Sequence, residues 1–188
     1  MTIIAFDSKS MAADSMMSTL DGHIVGRCRK LFRLKSGGIL GRAGDVDCRA
    51  VIALLDGVKD YDDLPSKAEL EATRTEFLGL LWLPNKQLVE IIISPDEEAR
   101  YSAQVVEIEE KYAAVGHGEL YARAILSSGG SSRDAVRVAI KHSGTCGGPI
   151  QEMKLGEVTK PSPKPKNLQQ TKPKKKHIEV SEESLVIE

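Results

Sequence analysis

The sequence predicts an α+β protein, and three observations carry that expectation. Strand-length apolar runs bounded by Gly, Pro, Asn and Asp recur through residues 2–115. Helical apolar stripes are confined to three places, near residues 45–58, 119–127 and 132–142. From Glu152 onward the apolar periodicity stops. Strands grouped with strands and helices with helices indicate α+β layers, not an alternating parallel sheet.

Along the chain, Thr2–Phe6 is β-branched and aromatic, Asp7-Ser8-Lys9-Ser10 is turn chemistry, and Met11–Ser15 resumes with small residues. This predicts a hairpin at the N-terminus. Asp21-Gly22 marks a turn before two extended pieces, His23–Arg27 and Lys30–Leu34, and Gly37-Gly38 leads into Ile39–Ala43. Within Asp45–Val58, residues Val46, Ala50, Ile52, Ala53, Leu54 and Leu55 fall largely on one helical stripe. Asp45 or Asp47 suits the positive end of that helix. Ser66–Thr75 is long enough for one or two helical turns. Phe77–Leu83 and Gln87–Ile93 flank Pro84-Asn85-Lys86 and predict a second hairpin. Tyr101–Glu107 and Lys111–Val115 read as further strands. Gly116-His117-Gly118 opens a helix over Glu119–Ser127, which Gly129-Gly130 ends. Ser131 or Ser132 caps a last helix running to His142, and Gly147-Gly148-Pro149 is a turn.

The length of 188 residues fits one domain, since ~100–200 residues is the usual unit. Eight aromatic residues leave the core to aliphatic side chains. The net charge of -1 conceals three blocks: residues 1–153 carry -4, residues 154–176 carry +7 and residues 177–188 carry -4. The chain is therefore read as a body over 1–150 and a Lys/Pro-rich, then acidic, tail over 151–188. A nucleic-acid-binding domain would carry its positive charge on the folded face, and this body does not. The tail composition favours extended, solvated chain, with two short apolar patches at His177–Val180 and Leu185–Ile187. Its lysines suit an acidic surface or a docking partner, and no aromatic residue from 154 to 188 is present to stack on bases.

Three widely spaced cysteines (Cys28, Cys48, Cys146) and four scattered histidines offer neither a disulfide framework nor a metal spacing. No cofactor and no metal are expected. No apolar run approaches ~18 residues, so no membrane span is expected, and the expectation is a cytoplasmic protein.

The chemistry centres on Thr2. Removal of Met1 would give a threonine whose own α-amine can take the proton of its hydroxyl while Oγ attacks a carbonyl. An α-amine titrates near ~7.7–8.0, suitable for a general base at neutral pH. A Met-Thr start alone is common and carries little. It gains weight from an ordered series downstream: Ala13-Asp14, Arg29-Lys30 before Leu31-Phe32-Arg33-Leu34, and Arg42-Ala43-Gly44 entering a helix. Val115-Gly116-His117-Gly118 with Tyr121-Ala122, and Ser131-Ser132-Arg133-Asp134-Ala135, complete the series.

This ordered set resembles the proteasome β-subunit family and the bacterial proteasome-like peptidase, both N-terminal nucleophile hydrolases. The resemblance spans roughly residues 2–149 and looks closest to short, divergent forms known from bacteria and their phages. It implies a four-layer α-β-β-α sandwich and a threonine-type peptidase acting on peptide or protein substrates. It also implies assembly as a homo-oligomer, in the host cytoplasm or virion if phage-encoded.

By the same resemblance Thr2 is the nucleophile, Lys30 the cation beside its hydroxyl, Asp14 their anchor and the Gly44 amide the oxyanion donor. His117 stands where the family commonly has a supporting serine. The family's late Asp and Ser have no clear match in Lys141–Ile150, where Ser143 and Thr145 are the polar candidates. Taken singly, Lys30 also reads as a surface cation, Asp14 as a turn carboxylate, Gly44 as a loop glycine and His117 as a structural histidine. The competing function is a catalytically silent structural or assembly protein of this fold, such as a phage particle component tethered by its tail.

Overall fold

A computed structural model describes residues 2–19, 23–45 and 47–157. The expectations for Met1, for the Asp21-Gly22 turn and for the tail beyond residue 157 fall outside these residues. The described elements begin with β1 (Ile3–Phe6), β2 (Met11–Ala13), β3 (Met16–Ser18), β4 (Ile24–Arg27), β5 (Leu31–Arg33) and β6 (Ile39–Gly44). Helices α1 (Arg49–Leu55) and α2 (Lys67–Ala72) come next, then β7 (Phe77–Trp82), β8 (Leu88–Pro95), β9 (Tyr101–Ile108) and β10 (Ala113–Gly116). The described part closes with α3 (Glu119–Ser127), α4 (Ser132–Ser143) and β11 (Gln151–Met153).

Two antiparallel sheets dominate. One has the order β10-β1-β2-β11, the other β5-β6-β7-β8-β9, and β3 pairs with β4 in a separate ribbon. The expected N-terminal hairpin is β1–β2, with Ala5 opposite Ala12, and the second is β7–β8, with Leu80 opposite Glu90. Three apolar clusters hold the layers. Ile3, Ala5, Ala12 and Ala114 pack with Ala122, Leu126, Ala135, Val136 and Ala139 of α3 and α4. Ile4, Phe6, Met11, Ala13 and Val115 meet Leu31, Ile39, Leu80, Trp82 and Leu88 of the other sheet. Leu40, Leu81, Val89, Ile91 and Ile93 turn the opposite way and pack with Val51, Leu55 and Leu70 of α1 and α2. The alternation of side chains along each strand sends successive residues to different clusters.

The structure corrects several sequence expectations. The first helix spans only Arg49–Leu55, and Cys48 at its N-cap position makes no side-chain capping bond. Asp45 is otherwise engaged, its carboxylate accepting from the Glu76 amide (3.1 Å), whereas Asp47 accepts from the Arg49 amide at the helix start (3.4 Å) and pairs with the Arg49 side chain (2.7 Å). That pairing holds the Asp47 carboxyl down at about 2, mainly through the Arg49 side-chain hydrogen bond. Cys48 and Cys146 are buried, and burial raises both thiols, whereas Cys28 is half-buried. The sequence expectations contain no β11, which places residues 151–153 in the sheet as a partner of β2, beyond the body's expected end at 150. A three-residue strand with Glu at its centre carries no apolar alternation to betray it. The last helix matches its expected start, because the Ser131 hydroxyl accepts from the Asp134 amide at 3.1 Å.

Candidate active site

Thr2 stands immediately before β1 and is 6% exposed. Its strand is fixed on both sides. The Ile3 amide donates to Asp14 Oδ1 (3.1 Å), and the Asp14 amide donates to the Ile3 carbonyl (3.2 Å). On the other side Ile3 faces Gly116, whose φ is +103°. A Cβ at Gly116 would run into the Thr2 carbonyl, so only glycine lets the chain pass there.

Asp14 and Lys30 form a buried pair behind Thr2. Lys30 Nζ donates to Asp14 Oδ1 at 2.7 Å, with the two side chains 4% and 0% exposed. Asp14 Oδ2 accepts from the amides of Met16 (3.2 Å) and Gly147 (3.0 Å). Charges removed from water persist only when paired and otherwise hydrogen-bonded, and this carboxylate has four donors. Through Oδ1 a single oxygen atom joins the ammonium of Lys30 to the first peptide of β1.

Two further groups support the pair, and neither is apparent in the sequence. The Gly147 carbonyl accepts from the amides of Ser15 (3.1 Å) and Met16 (2.9 Å), so the glycine turn is part of the scaffold. Gln151 Oε1 accepts from the amides of Lys30 (2.9 Å) and Leu31 (3.2 Å), while its Nε2 donates to the Cys28 carbonyl (2.8 Å). In the sequence Gln151 is one amide beside a glycine turn, which has no local signature. Gln151→Ala leaves these backbone groups without their partner, and a loss of ~1–3 kcal/mol in urea unfolding is expected. A change below about 0.5 kcal/mol would show that water replaces the side chain fully.

Gly44 ends β6 with φ +92°. A Cβ there would run into the Glu76 carbonyl. The amides of a strand alternate between its two edges. Asp45 N donates to the Glu76 carbonyl on the β7 side, and Arg42 N donates to the Lys30 carbonyl on the β5 side. The Gly44 N–H is therefore directed to the edge where Lys30 lies. The chain before Lys30 has turned away there, since Cys28 N donates to the Ser15 carbonyl (2.9 Å). Arg42 clamps this turn: Nη1 donates to the Asp45 carbonyl (2.7 Å) and Nη2 to the Arg29 carbonyl (3.3 Å).

A cleft of about 910 Å³ opens at this point. Thr2, Gly44 and His117 line it, with Ser18, Thr19 and Val25 on one side and Phe77, Leu78, Glu90 and Ile92 on another. Of the five expected site residues, Thr2, Gly44 and His117 face this cleft, while Asp14 and Lys30 stand buried behind it. His117 is exposed at the rim, in the turn after β10. Ser143 and Thr145 hydrogen-bond each other at 2.6 Å and do not line the cleft. Among the described residues no cluster of three or more His, Cys, Asp or Glu could hold a metal ion. Among them, too, no helix is long and apolar enough to cross a membrane.

The antiparallel sheets and helices described above form a fold similar to that of solved proteasome-like structures. The particular solved structures are those of the bacterial proteasome homologue BPH of Thiobacillus denitrificans. One is similar with a TM-score of 0.56 and 17% identity, covering 84% of this chain and 100% of that chain. Another, BPH in complex with epoxomicin, is similar with a TM-score of 0.54 and 16% identity, covering 83% and 99%. No family model matches the sequence, and no curated protein matches it.

Proposed function

We propose that the chain is a threonine-type peptidase of the proteasome-like kind, built as a four-layer α-β-β-α sandwich with Thr2 as nucleophile. The observation that carries the reading is the buried Asp14–Lys30 pair, tied to the Ile3 amide directly behind a threonine that faces an open cleft. The order of the three apolar clusters supports the layering.

In this reading Met1 is removed and the free amine of Thr2 takes the proton from Oγ. Oγ attacks the substrate carbonyl, whose oxygen gains negative charge and accepts from the Gly44 amide. The intermediate collapses to an acyl-enzyme, and the protonated amine supplies the proton that the leaving amine needs. Water, deprotonated by the same amine, then releases the acyl group and restores Thr2. Lys30 places a positive charge near the reacting oxygen, and Asp14 fixes where that charge sits.

The test combines intact mass, N-terminal sequencing and labelling by epoxomicin. The expected result is a chain beginning at Thr2 that gains the mass of one inhibitor molecule. Thr2→Ala is expected to abolish labelling and to lower peptide turnover by at least about a thousandfold. Quantitative retention of Met1, or equal labelling of parent and variant, would overturn the proposal. That outcome would favour the catalytically silent assembly role instead.

A further inference from the structure

The walls of the cleft differ in a way the nucleophile does not explain. On β8, Val89, Ile91 and Ile93 face α1 and α2, while Leu88 faces the opposite sheet. Alternation puts Glu90 and Ile92 on the same inward side as Leu88. Glu90 is thus a carboxylate on a face whose preceding position is fully apolar core, and it is half-buried. Such a residue is uncommon unless something pairs with it.

Among the described residues nothing pairs with it directly: the Glu90 side chain makes no hydrogen bond or ion pair with them. Burial, and then the neighbouring Glu119 carboxylate, push its carboxyl up, opposed in part by Arg123. The Arg123 guanidinium, however, is held by Glu119 at 2.7 Å. The rest of the lining adds negative charge, with Asp45 and Glu76 at the mouth beside Gly44, and neither Lys nor Arg among its described residues. Between these carboxylates the walls are aliphatic: Val25, Leu78 and Ile92. Apolar walls that end in a carboxylate match a long aliphatic stem carrying a cation.

We propose that the cleft selects peptide segments with a Lys or Arg side chain close to the scissile bond, with Glu90 as the residue that receives the cation. This rests on Thr2 marking the reacting end of the cleft, and it adds the substrate class to that reading. Asp45 is the weaker candidate, because its carboxylate already accepts the Glu76 amide.

The test separates selectivity from turnover. Binding is measured by calorimetry to the full-length Thr2→Ala protein. The probes are hexapeptides of Ala and Val in which one Arg, Leu or Glu is moved through the positions. At one position or more, Arg is expected to bind roughly tenfold tighter than Leu, and Glu weaker than both. Glu90→Gln is expected to remove most of the Arg advantage and leave Leu affinity unchanged. Glu90→Asp, which keeps the charge on a shorter stem, is expected to retain part of it. Equal affinities for Arg and Leu at every position, absence of binding, or an Arg preference that survives Glu90→Gln would overturn the proposal. Turnover by the parent is measured separately with the best-binding peptide. A protein that binds Arg peptides through Glu90 yet cleaves none would refute Thr2 as nucleophile and leave the selectivity standing.

Discussion

Asp14→Ala is expected to lower stability by about 3–5 kcal/mol and to abolish peptide cleavage. The carboxylate pairs with a side-chain ammonium that is 4% exposed, and it also holds the amides of Ile3, Met16 and Gly147. Removing it takes the counter-charge from a buried cation and the carboxylate acceptor from three peptide N–H groups. Urea unfolding of parent and variant measures the loss. Adding Lys30→Met to Asp14→Ala removes the uncompensated charge and should restore part of the stability without restoring cleavage. A single variant within about 1 kcal/mol of the parent would mean that solvent reaches the pair, contrary to its burial.

Gly116→Ala is the second large effect. The position has φ +103°, which costs a side-chain-bearing residue ~1–3 kcal/mol by itself. The added methyl would also meet the Thr2 carbonyl, so β1 and β10 must separate at the proposed nucleophile. Displacing a reacting group by about 1 Å can cost ~100-fold in rate, and a fall of at least that size in kcat is expected. Gly37→Ala provides the comparison. Its φ is +95°, but nothing lies within 4 Å of the new Cβ, so it should lose stability and keep its turnover. Equal kcat for Gly116→Ala and the parent would show that Thr2 keeps its place by other means.

The strands of the body are legible because their composition and their turns agree. β7 and β8 are apolar runs on either side of Pro84-Asn85-Lys86, and α3 begins and ends where its glycines say. The start of α1 is only partly legible: Asp47 accepts from the Arg49 amide at the helix start, as an acid there should, while Asp45 binds the Glu76 amide instead. At the candidate site, Thr2, Asp14, Lys30 and Gly44 are visible as an ordered series, and the first three meet through a single carboxylate oxygen and one peptide. The long-range half of the support is hidden from sequence reading. Gly147 and Gln151 lie 133 residues from Asp14 and 121 from Lys30, and only tertiary contact reveals their roles. Glu90 is hidden for another reason: one acid in an apolar run reads as the solvent side of a strand until the facing sheet is known.

Those same separations have a consequence for biosynthesis. A chain grows from its N-terminus and its domains fold as they emerge. Thr2, Asp14, Lys30 and Gly44 are all made within the first quarter of the chain. The Gly147 amide that holds Asp14 and the Gln151 side chain that holds the Lys30 backbone arrive more than a hundred residues later. A nascent or truncated chain lacking β11 therefore carries the proposed nucleophile without its completed cradle. The hydrogen bonds around Asp14 and the Lys30 backbone are therefore complete only when nearly all of the body has been translated.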